Sequence, residues 1–195
     1  KVHTSTFDRM SPKTAIPLFP HTSMSIVGPT GIGKTKFIYD LIRQMQNIYH
    51  DPTPRQVLFC FAIHQELYDH MTETIPQVTF HHGLPSEETI EGLSEGHLIV
   101  LDDLADDIVQ SKTIQRLIVR GCHHRKQTVI MVLHNLYEKG KVARTIALNS
   151  QYLVLFRNAR DASQVHVLGR QIYPAQPNRL IEAYEDATKE PRGYL

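Results

Sequence analysis

Apolar positions in this chain form two alternating kinds of pattern. The first is a set of short continuous runs: Met24 to Val27, Val57 to Ala62, Val78 to His81, Leu98 to Leu101, Val129 to Leu133 and Tyr152 to Phe156. Runs of this length suit strands buried on both faces. The second kind is helical. Phe37, Ile38, Leu41, Ile42, Met45, Ile48 and Tyr49 recur on one face with a period of about 3.6. Glu66 to Thr74 reads as a helix, and Ser86, followed by Glu87 and Glu88, has the form of a helix cap with acids in the first turn. Ile114, Leu117, Ile118 and Gly121 share one face of a helix expected over residues 111–121. Ser163 to Ala187 reads as two helices split by Pro174 and Pro177. Apolar strands alternating with helices predict an α/β domain with a mostly parallel central sheet covered on both faces. Residues 1–20, rich in Ser, Thr, Pro and His, read as an extended lead-in to a single domain over residues 21–195.

Composition narrows the picture. The chain has 195 residues, enough for one ordinary domain with a proper core. Its 21 Lys and Arg are matched by 20 Asp and Glu, so no general nucleic-acid affinity follows from charge. Contact with nucleic acid would have to come from local patches, or from several copies sharing one surface. Cys60 and Cys122 sit in or beside apolar segments and read as buried, reduced thiols, which favours a reducing compartment. No run approaches the roughly 18 apolar residues of a membrane span, and no signal peptide is visible. The expectation is an intracellular protein, neither secreted nor membrane-bound. A start at Lys1 gives it the look of a chain trimmed from something longer.

The first apolar run breaks into Gly28, Pro29, Thr30, Gly31, Ile32, Gly33, Lys34, Thr35 and Lys36, the spacing of a phosphate-binding P-loop. Its glycines let successive N–H groups turn inward around a phosphate, and the loop opens a helix whose N-terminus favours anions. Lys34 would neutralise the outer phosphates, and the Thr35 hydroxyl would bind magnesium. With a strand before it and a helix after it, the motif predicts nucleotide binding.

Leu98 to Leu101, followed by Asp102 and Asp103, fits the Walker B pattern. Standing alone, an Asp-Asp pair after a strand would read as a turn with a helix cap. After a P-loop and two further strands, Asp102 is expected to hold magnesium opposite Thr35, and Asp103 to orient and deprotonate the attacking water. Two strand segments between the P-loop strand and the Walker B strand, with an acid beside the Walker B aspartate, point to the RecA-like or AAA-like branch. The next strand ends in His134-Asn135, where Asn135, ahead of His134, suits a sensor of the γ-phosphate or the water; its other reading is a turn cap. Arg116, Arg120, Arg125, Arg144, Arg157 and Arg160 cluster around the later strands. Each alone reads as a solvated surface residue, yet one of them is expected to serve as an arginine finger, with Arg125 or Arg120 foremost. His81-His82 and His123-His124 complete no four-ligand zinc set. His123-His124 is expected in a compact cationic loop at the sheet's edge.

The segments Arg120 to Arg125, Thr128 to Leu136, Gly140-Lys141, Arg144 to Asn149 and Tyr152 to Asp161 resemble the genome-packaging ATPases of the FtsK–HerA superfamily. The likeness is greatest to the poxvirus-like branch of large DNA viruses, virophages and Maverick/Polinton elements. It spans roughly residues 20 to 195, and Gly193-Tyr194-Leu195 looks like that family's last strand. The resemblance implies a three-layer RecA-like P-loop ATPase that uses ATP and Mg2+. It further implies a homo-oligomeric ring, a pentamer or hexamer, that pumps double-stranded DNA into a capsid, with a capsid or portal component as partner, in the virion or host cell. By position it assigns nucleotide binding to Gly28, Gly33, Lys34 and Thr35, magnesium to Asp102 and the catalytic acid to Asp103. This chain departs from the family in having His134 where members often have Gln, and Asp103 where many have Glu. A cellular or plasmid DNA translocase of the same superfamily, and a nucleotide-binding assembly switch without motor activity, are the alternatives.

Overall fold

The order in which six parallel strands lie side by side decides what meets at their ends. In the computed structural model, which describes residues 18–137, 140–160 and 162–195, the strands are β1 Ser23–Val27, β2 Gln56–Phe61, β3 Val78–His82, β4 His97–Asp102, β5 Thr128–Leu133 and β6 Tyr152–Leu155. Their order across the sheet is β3-β2-β4-β5-β1-β6, and every pairing is parallel. The extended lead-in expected at the start lies, up to residue 17, outside the described residues.

Side chains alternate between the two faces along each strand. Leu98 and Val100 of β4 and Ile130 and Val132 of β5 join a core formed with α1 Lys34–Arg43, α2 Met45–Ile48 and α3 Glu66–Thr74. Ile99, Leu101, Val129 and Met131 join the opposite core. There they meet α4 Glu87–Gly92, α5 Ala105–Ile108, α6 Lys112–Arg116, a π-helical turn Leu117–Gly121, α7 Cys122–His124, α8 Lys141–Asn149, α9 Ala162–Ile172 and α10 Asn178–Ala187. The result is three layers, helix, sheet and helix. Leu98, Ile99, Val100 and Leu101 are wholly buried, which is why β4 shows no polar alternation. Two serines of β1 face the second core and are satisfied there: Ser23 by Gln151 and the Asn149 carbonyl, Ser25 by Ser150. No helix among the described residues is long and apolar enough to cross a membrane.

Most elements lie where the apolar pattern put them, including α3, the two tail helices, and α4 with Ser86 accepting from the Thr89 N–H at 3.0 Å. The helix expected over residues 111–121 instead starts at Lys112, capped by Ser111, widens into the π turn and runs on to His124. His123-His124 therefore ends a helix rather than forming a cationic loop. The backbone of Tyr194 forms an isolated antiparallel bridge with Phe156 rather than a ladder, so Gly193-Tyr194-Leu195 is not a strand. β2 and β3 come between β1 and β4 in sequence but lie beyond β4 in the sheet, and β5 separates β1 from β4.

Candidate nucleotide-binding site

Because the strands are parallel, their C-terminal ends share one edge of the sheet, and the residues that leave them meet there. Val27 is level with Leu133 of β5 and Leu155 of β6, so the P-loop, His134-Asn135 and Phe156 emerge together. The Gly28 N–H reaches the Leu133 carbonyl at 3.3 Å. A Cβ on Gly28 would stand 2.7 Å from the Phe156 Cβ, so the loop can leave β1 along this path only as glycine. Gly33 has φ +110, the left-handed region, and its carbonyl accepts from Phe37 N–H at 2.9 Å as α1 begins. The backbone thus turns sharply and aims the N-terminus of α1 at the loop.

Inside this turn Lys34 is only 7% exposed, and its Nζ donates to the Gly28 carbonyl at 2.6 Å and the Pro29 carbonyl at 2.9 Å. Burial holds its pKa below the usual lysine value, against the pull of Asp102 and Asp103. The ammonium is therefore a desolvated cation within the glycine-rich loop, the chemistry an oligophosphate requires.

The Thr35 hydroxyl donates to Asp102 Oδ2 at 2.8 Å. The hydroxyl of Tyr68 on α3 donates to the same oxygen at 3.0 Å. Asp102 is 2% exposed; burial pushes its pKa up, while these two bonds act the other way. A hydroxyl and a carboxylate, both hard oxygen donors, thus stand side by side against a phosphate loop, a donor set that fits Mg2+. The next residue, Asp103, has φ +57, a conformation costly for a residue with a side chain. Its half-exposed carboxylate lies 3.8 Å from His134 Nε2. Pro29, Thr30, His134, Asn135, Asn158 and Arg160 line an open cleft of about 440 Å3 beside the loop.

The structure brings together Gly28 to Thr35, Asp102, Asp103, His134 and Asn135. Lys36 begins the outer face of α1 and pairs with Asp40. Arg120 and Arg125 are not brought to this site. Arg125, just before β5, lies at the N-terminal end of the sheet, roughly 16 Å of strand away from the P-loop edge, and Arg120 precedes it in the π turn. Arg125 pairs with Glu91 at 2.9 Å, and Arg116, earlier on the same helix, pairs with Glu87 at 3.1 Å. Sequence reasoning missed Tyr68 and Asn158. Tyr68 sits on the buried face of an amphipathic helix, and nothing in that pattern says where its hydroxyl ends.

No sequence family and no curated protein matches the chain. Among solved structures it is similar to the cytoplasmic domain of the type VII secretion ATPase EccC of Thermomonospora curvata, with TM-score 0.53 and 14% identity over 88% of this chain and 24% of that one. It is more distantly similar to ATPases 2 and 3 of the same EccC in complex with a signal sequence peptide, with TM-score 0.45 and 14% identity over 64% of this chain and 30% of that one. A KaiC-like protein of Pyrococcus horikoshii gives TM-score 0.44 and 13% identity over 72% of this chain and 76% of that one. The chain thus spans less than a third of either EccC chain. At such identities the likeness is one of fold. The likeness at TM-score 0.53, together with the all-parallel strand order and the P-loop, identifies the three-layer RecA-like P-loop fold.

Proposed function

We propose that this chain is a magnesium-dependent ATPase that drives double-stranded DNA through a homo-oligomeric ring of five or six copies, packaging a viral or virus-like genome into a capsid. One observation carries the ATPase reading. Thr35 of the P-loop and Asp102 of the Walker B strand, 67 positions apart, meet at 2.8 Å beside a buried lysine. A glycine turn without a nucleotide role has no reason to bury a lysine and an aspartate there.

Bound magnesium, held by Thr35 and Asp102, would neutralise charge on the phosphates. Lys34 is the chain's own cation for the outer phosphates. Asp103 takes a proton from the attacking water as the water oxygen bonds to the γ-phosphorus. The bond from that phosphorus to the β–γ bridging oxygen breaks, and the proton leaves with the products. Asn135 and His134, at the end of the neighbouring strand, orient the water. Arg125 or Arg120 is the arginine that an adjacent copy would supply as a finger to stabilise the charge developing on the transferred phosphoryl group.

The step from ATPase to packaging motor rests on the resemblance of residues 120 to 161. Near-neutral charge suits a motor in which each copy grips DNA through a few loop residues and the ring sums them. A capsid or portal component is the partner that such a ring would dock on, in the virion or the host cell. The test is native mass measurement of the chain with an ATP analogue and duplex DNA, alongside hydrolysis rates with and without DNA. A closed ring and DNA-stimulated hydrolysis are expected. A monomer under all conditions, with hydrolysis indifferent to DNA, would remove the motor.

A further inference from the structure

One arginine at the nucleotide edge belongs to none of the motifs. Arg192 lies past α10, in the turn that returns the chain end to β6. Gly193 N–H donates to the Glu190 carbonyl at 2.9 Å, Tyr194 bridges Phe156, and Leu195 exchanges backbone hydrogen bonds of 2.8 and 3.1 Å with Leu155. These contacts fix the turn, and within it Arg192 takes φ +65. A side chain in that region costs about 1–2 kcal/mol, and such strain collects at ligand sites. The arginine stem lies against the P-loop. Its Cδ, Cγ and Cβ are 3.4, 3.5 and 3.7 Å from where a Cβ on Gly33 would stand. Arg116 and Arg125 each face a glutamate, whereas no acid among the described residues pairs with Arg192.

Direction follows from the strand order. Asp102 lies on the β4 side of the P-loop strand, and Arg192 lies on the β6 side. Lys34 and the Thr35–Asp102 pair mark the place of the outer, metal-bearing phosphates. The opposite side of the loop therefore faces the other end of a nucleotide. We propose that Arg192 binds the α-phosphate and base end of the nucleotide, donating to a phosphate oxygen and laying its planar face on the base. Arginine suits both contacts, since its fork matches phosphate geometry and its plane stacks on aromatic rings. The assignment rests on the reading of the P-loop as a nucleotide site.

Equilibrium binding of ADP and of ATP to the full chain tests it, comparing the wild type with Arg192→Ala and Arg192→Gly. ADP needs no hydrolysis to bind, and it keeps the α-phosphate and base. Both substitutions are expected to weaken ADP and ATP alike, by roughly tenfold. Hydrolysis at saturating ATP should stay within about twofold of wild type, since the contact is the same before and after cleavage. Glycine is at ease at φ +65, so Arg192→Gly should unfold no earlier than wild type, which separates lost binding from a damaged fold. ADP affinity unchanged in Arg192→Gly overturns the assignment while leaving the P-loop reading intact. A loss confined to ATP, with a fall in the saturated rate, also overturns it by moving the arginine to the γ-phosphate. A wild-type chain that binds neither nucleotide overturns the P-loop reading itself, and this assignment with it.

Discussion

Tyr68 donates its hydroxyl proton to Asp102 Oδ2 across 3.0 Å, from a helix packed on the far half of the sheet. That oxygen already accepts from Thr35, so the Walker B carboxylate is held from two directions before any ligand arrives. In the proposed site Thr35 also holds magnesium, whereas the Tyr68 hydroxyl touches Asp102 alone. Tyr68→Phe keeps the ring, which packs on Phe59, Phe61 and Phe80, and removes only the hydroxyl. The Mg2+ concentration for half-maximal hydrolysis should rise by about tenfold, as when a supporting bond to a metal ligand is lost. Nucleotide binding in the presence of a chelator should not change. A magnesium titration of the hydrolysis rate reads the first effect, and binding with EDTA reads the second.

Burying Asp102 puts site chemistry in conflict with stability. Its folded pKa is raised, so the folded chain keeps a proton over a pH range where the unfolded chain has released it. For this group stability is therefore greatest below the ordinary carboxylate value of about 3.9 and is lost as pH rises through the folded value. Asp102→Asn removes the charge and keeps an oxygen for Thr35 and Tyr68. The nucleotide-free variant should be about 1 kcal/mol more stable than wild type at neutral pH, with the gap closing toward acid, while magnesium-dependent hydrolysis disappears. Denaturant unfolding at several pH values checks both the sign and the trend.

Gly28→Ala should damage the loop and the fold together. The new methyl would come within 2.7 Å of the Phe156 Cβ, and Phe156 is itself held by Phe37 and Tyr194. Neither side can yield without moving backbone. A cost of about 1–3 kcal/mol in thermal unfolding is expected, with weaker nucleotide binding.

Cys60 and Cys122 are fully buried free thiols, and burial pushes both pKa values up to about 12. At pH 8 a thiol-reactive dye should label neither in the native protein except at the rate of global opening, and both at once in denaturant. Rapid labelling of one thiol in the native state would show that its layer is open.

Much of this site was legible because its chemistry is local. The P-loop spacing, the fully apolar β4 and the acids after it are contiguous in sequence, and each lies at the end of the strand that carries it. What was not legible depends on how distant segments are laid side by side. The sequence shows that β2 and β3 precede β4, yet cannot show that β5 lies between β1 and β4. That order brings His134 within 3.8 Å of Asp103, and the chain path leaves Arg125 at the opposite end, just before β5. α5 passed unnoticed because a four-residue helix is defined by what it packs on rather than by a long period. The π turn from Leu117 to Gly121 changes spacing within a helix whose apolar face looked regular. Tyr68 was foreseeable as a core residue, but its bond to Asp102 exists only once α3 is docked beside β4.

Phosphate release from Mg·ATP by the wild type, Lys34→Ala and Asp103→Asn, with ATP binding followed in the same samples, tests the central claim most directly. The site described here predicts that the wild type binds and hydrolyses ATP, and that Lys34→Ala loses both. Asp103→Asn should bind ATP within a few-fold of wild type while releasing phosphate on the order of 100-fold more slowly, the loss of a positioned base. Hydrolysis at the wild-type rate in Asp103→Asn, or a wild type that binds ATP and releases no phosphate, would contradict it.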